Sequence, residues 1–199
     1  MDMVNNLKLA KKALENHGVI AFPTETVMGL AVYYDDFIAY DKLNKIKQRP
    51  EEKPYTMMVK SQNEIYKYAV IDEKAQKIIK AFMPGPITLL WPANEGLPNW
   101  VTHGGSVVGI RMPANEIGLA LLKVVEKPIL VPSANKSGER PAINSKEVKD
   151  IFHDELDYII EGEANLDKPS TILDLTKEEI KVVREGPISL KEIIDVLKC

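Results

Sequence analysis

The sequence predicts an α/β protein: one domain spanning residues 1–199, with a mixed and twisted β-sheet. Three observations lead there. Helical and strand-like hydrophobic periods interleave along the whole chain. Apolar residues fill 45% of the 199 positions, ample for a sizeable core. No long flexible linker, low-complexity tract or fixed-period repeat divides the chain.

Taken in order, Val4, Leu7, Ala10 and Leu14 follow helical spacing, and Gly18 is placed to end that helix. Residues 18–22 are a buried strand stopped by Pro23, with a second short strand over 30–33 and a helix over 37–46. Ser61 and Glu64 form a capping box that opens a helix. Asp72 caps another, with Ala75, Ile78, Ile79 and Phe82 on its buried face. Met83-Pro84-Gly85-Pro86 breaks the chain before strands over 87–91 and 107–112. A helix runs from Asn115 to Val125, followed by an apolar strand over 128–131. Asn144 and Glu147 make a second capping box, for a helix ending near Phe152. Strands follow over 158–160, 171–173 and 180–183, the last two joined by a tight polar turn. Ser189 and Glu192 cap a closing helix through Leu197.

The 26 Lys and Arg against 29 Asp and Glu leave a formal charge of -3, which excludes holding nucleic acid by bulk charge. Only four of those cations are arginines: Arg49, Arg111, Arg140 and Arg184. The single cysteine, Cys199, is the last residue, so no internal disulfide framework or cysteine-rich metal site is expected. His17, His103 and His153 are scattered outside any HExxH pattern, which argues against a zinc hydrolase. No apolar run reaches membrane-spanning length, and the N-terminus lacks the basic-then-apolar order of a secretory signal. The expectation is a soluble, cytoplasmic protein without membrane contact.

Three loops carry residue types suited to chemistry. Pro23-Thr24-Glu25-Thr26-Val27-Met28-Gly29-Leu30 follows a buried strand, where α/β sheets assemble ligand sites. Threonines that satisfy their own backbone are the plainer reading of that loop by itself. The stretch 45–54 packs Lys45, Lys47, Arg49 and Lys53 around two prolines, which suits a triphosphate better than a solvated helix face. Glu51 and Glu52 dilute that charge and weaken a nucleic-acid reading. After the strand at 128–131, Ser133, Asn135, Ser137 and Gly138 let backbone N–H groups approach an anion, with Lys136 and Arg140 supplying charge. A polar turn is the bland alternative there. Arg111 and Arg184 each end a strand; for either alone, an anchor for a neighbouring carboxylate is the simpler reading. Neither a P-loop nor a G-x-G-x-x-G fingerprint occurs, so any nucleotide is bound outside those patterns. Without a nucleophile triad, the chemistry left is positioning and charge stabilisation, as phosphoryl and nucleotidyl transfer require.

Together these segments resemble the YrdC/TsaC family of threonylcarbamoyl-AMP synthases over nearly the whole chain, from Gly18 to Pro187. The markers are Pro-Thr-Glu-Thr-Val-x-Gly-Leu at 23–30, Lys-x-Arg-Pro at 47–50, Pro-Gly-Pro-x-Thr at 84–88 and Arg-Met-Pro at 111–113. Pro-Ser-Ala-Asn at 132–135, Pro-Ser-Thr at 169–171 and Arg184 before Gly186-Pro187 complete the order. Met28 stands where the family often has Tyr, and Met58 where some longer members have His. The chain resembles the short form, without an additional C-terminal domain.

The resemblance implies an open, twisted sheet with flanking helices around a positively charged cavity. It implies a nucleotidyltransferase that makes threonylcarbamoyl-AMP and pyrophosphate from L-threonine, bicarbonate and ATP. The product feeds threonylcarbamoyladenosine (t6A) in tRNA through downstream transfer proteins. Lys47, Arg49, Lys53, Ser133, Asn135 and Arg184 would hold ATP; Thr24, Arg111 and Ser170 would hold threonine. Mg²⁺ would sit mainly on the ATP phosphates. Two rivals are an RNA-binding module without turnover and a carbamoyl transferase module acting on another acceptor. The net charge and the lack of an aromatic-basic stripe count against the first, though a weak RNA contact stays open. The short chain counts against the second.

Overall fold

The computed structural model describes residues 2–48, 54–166 and 168–198. Arg49 and Lys53, assigned above to the triphosphate, lie outside them. The first half contains α1 (Met3–Glu15), β1 (Ile20–Phe22), β2 (Gly29–Tyr33), α2 (Phe37–Lys47), β3 (Thr56–Met58), α3 (Gln62–Ile65) and α4 (Glu73–Phe82). Next come β4 (Ile87–Pro92), α5 (Asn99–Thr102), β5 (Val107–Arg111), α6 (Glu116–Val125) and β6 (Ile129–Val131). The remainder is α7 (Ser145–Phe152), β7 (Tyr158–Ile159), β8 (Thr171–Asp174), β9 (Lys181–Arg184) and α8 (Leu190–Lys198).

Local signals terminate most helices where the sequence places them. α1 closes with the Schellman pattern: Gly18 N–H donates to Ala13 O at 2.9 Å and His17 N–H to Leu14 O at 3.2 Å. His17, rather than Gly18, takes the left-handed position, at φ 59°. Glycine is still needed one residue on, because a Cβ there would stand 2.5 Å from Ala13 O. Asp72, Asn115 and Asn144 accept from Ala75, Gly118 and Glu147 N–H at 2.7, 3.0 and 2.9 Å. At the last helix the box closes both ways, Ser189 N–H to Glu192 Oε2 at 2.8 Å and Glu192 N–H to Ser189 Oγ at 3.3 Å. The box at Ser61 forms only in part. Ser61 makes no side-chain cap bond, Glu64 Oε2 accepts from Lys60 N–H at 3.0 Å, and α3 is one turn long.

Among the described residues, the strands form one nine-stranded sheet in the order β7-β1-β2-β6-β3-β5-β4-β8-β9. β1/β7, β3/β5 and β4/β8 run parallel and the other neighbours antiparallel, so the sheet is mixed as the sequence predicts. Along β1, β2, β3 and β6, side chains alternate between two apolar layers. Ile20, Phe22, Tyr33, Met58, Ile129 and Val131 pack with α1 and α6 residues such as Leu14 and Leu121. Ala21, Leu30, Val32, Met57 and Leu130 join the larger core with α2, α4 and α7. The register sets Met58 beside Arg111, Thr56 beside Val131 and Ile172 beside Arg184. That places two of the four arginines on strands that border one concavity. Among the described residues, no helix is long and apolar enough to cross a membrane.

Candidate functional site

A cavity of about 150 Å³ opens where six separate stretches of chain meet: residues 24–29, 54–58, Arg111, 131–133, 169–172 and Arg184. Its size suits one amino acid and is below the roughly 300–1,000 Å³ of drug-sized pockets. Backbone pairing fixes two of its walls against each other. Met28 N–H donates to Ala142 O, Ala134 N–H to Met28 O and Leu30 N–H to Pro132 O, at 2.9, 2.8 and 2.9 Å. The loop after β1 and the loop after β6 are thereby held in one register.

The hydroxyls of the first loop form a directed relay. Thr24 Oγ1 donates to Val27 O at 2.7 Å, which spends its only proton. Across the 2.9 Å contact between the two hydroxyls, Thr26 must therefore be the donor. That leaves Thr26 Oγ1 to accept from Arg111 Nη2 at 3.0 Å. Thr24 satisfies its own loop, the plainer reading of that residue, and also borders the cavity.

Arg111 is 4% and Glu25 8% exposed. Arg111 Nη2 stands 2.7 Å from Glu25 Oε1, but no N–H is aligned on that line, so the contact is a Coulombic pair rather than a hydrogen bond. Among the described residues, both Glu25 oxygens and Arg111 Nε are buried without a hydrogen-bond partner. On the opposite wall Arg184 donates from Nε to Ser170 O at 3.0 Å and from Nη2 to Ser170 Oγ at 3.1 Å. Ser170 Oγ also lies 3.0 Å from Thr88 Oγ1. Arg184 has no carboxylate partner among the described residues. Part of it is open to solvent, yet its guanidinium sits in a crowded concavity. That desolvation, and then the charge of Arg111, lowers its pKa from the usual arginine value. Two guanidinium groups facing one small cavity give it the charge and donor geometry that suit an anion.

Thr24, Arg111, Ser133, Ser170 and Arg184 thus meet at one cavity, together with Met28 and Met58. Asn135 and Lys47 lie behind it. Lys47 is 1% exposed, and its ammonium donates to Ser133 O, Asn135 O and Asn135 Oδ1 at 2.6, 2.7 and 3.2 Å. Ser133 Oγ donates to Asn135 Oδ1 at 2.6 Å, and Asn135 Nδ2 to the Lys136 and Glu139 carbonyls. The two cations of the loop after β6 are engaged away from the cavity: Lys136 pairs with Glu155 at 2.6 Å and Arg140 with Glu147 at 2.9 Å. Their charge neutralises surface carboxylates instead of lining the cavity. Sequence reasoning left Glu25 and Thr26 without a role. The signal was present in the Thr-Glu-Thr triplet, whose flanking hydroxyls share the loop with a carboxylate.

The fold and this cavity define an α/β protein with a small cavity bordered by two arginines. The chain belongs to the Sua5/YciO/YrdC family, whose model, described as "Telomere recombination", matches residues 12–186. It is 35% identical over 193 residues to a Pyrococcus abyssi protein named threonylcarbamoyl-AMP synthase. That match covers 96% of this chain but only 57% of the relative, so the chain spans little more than half the relative's length. A solved structure of P. abyssi Sua5 complexed with L-threonine superposes with a TM-score of 0.94 at 34% identity, over 98% of this chain and 58% of that one. Escherichia coli YciO superposes at 0.88 with 28% identity, over 96% of this chain and 94% of its own.

Proposed function

We propose that this chain is a nucleotidyltransferase that makes threonylcarbamoyl-AMP and pyrophosphate from L-threonine, bicarbonate and ATP, for t6A modification of tRNA. One observation carries the reading: Arg111 and Arg184 face a single amino-acid-sized cavity in a chain 34% identical to a protein solved with L-threonine.

The α-carboxylate of threonine pairs with Arg111, the cavity cation already oriented by its neighbours, while Ser170 and Thr24 border the amino acid. The threonine amine captures carbon dioxide, in equilibrium with bicarbonate, and loses a proton to give an N-carboxylate. A carboxylate oxygen then attacks the α-phosphorus of ATP as the bond to pyrophosphate breaks. Negative charge grows on the leaving group, so fixed cations are what the step needs. Arg184, Arg49 of the Lys-x-Arg-Pro segment and Lys53 just beyond it supply them. Lys47 contributes from below, holding the Ser133–Asn135 loop that borders the nucleotide. The N-carboxylate is short-lived in water, and a small walled cavity protects it.

Mg²⁺ supplies charge neutralisation to the phosphates. Among the described residues no group of three or more His, Cys, Asp or Glu side chains is arranged to hold a metal ion. The ion would sit mainly on the ATP phosphate oxygens.

The test supplies ATP, Mg²⁺, bicarbonate and threonine and follows pyrophosphate together with an adduct of AMP and carbamoyl-threonine. Both should appear, and only when threonine is present. Pyrophosphate formed equally without threonine, or no turnover beside salt-dependent RNA binding, would sink the synthase reading.

A further inference from the structure

Arg111 is gripped from the protein side by two residues of the Thr-Glu-Thr triplet. Nη2 meets Thr26 Oγ1 at 3.0 Å and Glu25 Oε1 at 2.7 Å. A guanidinium carries five N–H donors, and the contacts found here engage Nη2 alone. Nε is buried without an acceptor. The grip is badly arranged for stability, since both Glu25 oxygens lack an aligned donor. Buried ion pairs of poor geometry offset little of their own desolvation cost, and an unsatisfied buried carboxylate asks for another explanation. Glu25 is also fixed through its backbone, whose carbonyl accepts from Leu166 N–H at 2.9 Å just ahead of the Ser170 wall.

We propose that Thr26 and Glu25 are positioning residues that clamp Arg111 Nη2 and so aim the guanidinium at the substrate carboxylate. This rests on the synthase reading above and adds to it the two residues that set amino-acid affinity. Thr26 matters most because its hydroxyl has a fixed direction: its proton goes to Thr24, so a lone pair faces Arg111. The negative charge of Glu25 keeps two guanidinium groups tolerable in one cavity before the anion arrives.

Thr26→Val keeps shape and removes the acceptor. The KM for threonine should rise about tenfold, with kcat and the KM for ATP changing less than about threefold. Thr26→Ser restores the hydroxyl and should bring the threonine KM back to within about threefold of wild type. In an Arg111→Ala background, Thr26→Val should add less than about twofold, because a residue acting through Arg111 has nothing left to position. An unchanged threonine KM in Thr26→Val overturns the clamp. So does a full effect that persists without Arg111, which would mean direct contact, or a failure of Thr26→Ser to rescue. Calorimetric binding of threonine to the same proteins runs beside turnover. Wild type that binds threonine but makes no adduct sinks the synthase reading, and the clamp is then judged on binding constants alone.

Discussion

Replacing Lys47 by Met would distinguish a lysine that serves the ligand from one that serves the loop. Methionine keeps the apolar stem and deletes the ammonium. Among the described residues, the cost follows from which acceptors lose their last donor. Asn135 Oδ1 still receives the Ser133 hydroxyl, and Ser133 O still receives Asn135 N–H at 3.1 Å. Asn135 O loses the ammonium as its hydrogen-bond donor. One buried carbonyl left bare costs about 1–3 kcal/mol, and relief of the buried charge returns part of what the two weakened contacts lose. A net destabilisation of about 2–3 kcal/mol corresponds to a Tm lower by about 4–12 °C in a chain of this size. Thermal unfolding followed by circular dichroism measures it, with hydrogen exchange at Ala134 and Asn135 reporting whether the loop has loosened. Loss of turnover with an unchanged Tm and unchanged exchange would refute the reasoning and return Lys47 to direct contact with phosphate.

Other substitutions around the cavity and on the surface have equally defined outcomes. In Gly186→Ala the new Cβ would fall 2.2 Å from Thr171 N and 2.6 Å from Ser170 C, so the cavity wall must shift. Denaturant titration should show a loss of about 3 kcal/mol, with weakened threonine binding. Arg184→Lys keeps the charge, but one ammonium does not reproduce the fork across Ser170 O and Oγ. Steady-state kinetics should show kcat/KM down by about tenfold or more, with Tm nearly unchanged because the side chain is partly exposed. Glu147 has its pKa lowered by the Ile143 backbone N–H and then by Arg140. Its folded pKa lies below the ordinary 4.5, so its contribution is present above that value and is lost as pH falls through the folded pKa. Glu147→Gln should therefore lower Tm at neutral pH, and the gap to wild type should close in acid.

The helix ends were legible in the sequence because caps are local. Asp72, Asn144 and Ser189 need only a neighbour three residues on. β3 was not, although it is central between β6 and β5. Three residues following a charged proline segment carry too little alternation to announce a strand, and its existence depends on partners far along the chain. The cavity residues on the Pro-Thr-Glu-Thr, Ser-Ala-Asn and Pro-Ser-Thr loops were legible as residue types, but their partners were not. Lys47 illustrates why. Read as one cation in a basic run, it suggested phosphate. Read by helical spacing, it follows Tyr40 and Leu43 on the buried stripe of α2, which is where its side chain goes. Charge composition describes what a residue is, whereas periodicity describes where it faces. For Glu25 neither was enough, because its partner Arg111 is distant in sequence.

The cavity is built from six stretches spread between residues 24 and 184, none of which forms a site alone. A ligand seated there ties the ends of the chain together through its middle. Its binding free energy is therefore felt by the whole molecule, as a ligand-dependent rise in global unfolding temperature rather than as local stiffening. For the same reason, damage at any one stretch loosens all the others' hold on the ligand. Under the proposed function, thermal shift with threonine thus doubles as a screen for correct folding of the cavity-forming stretches.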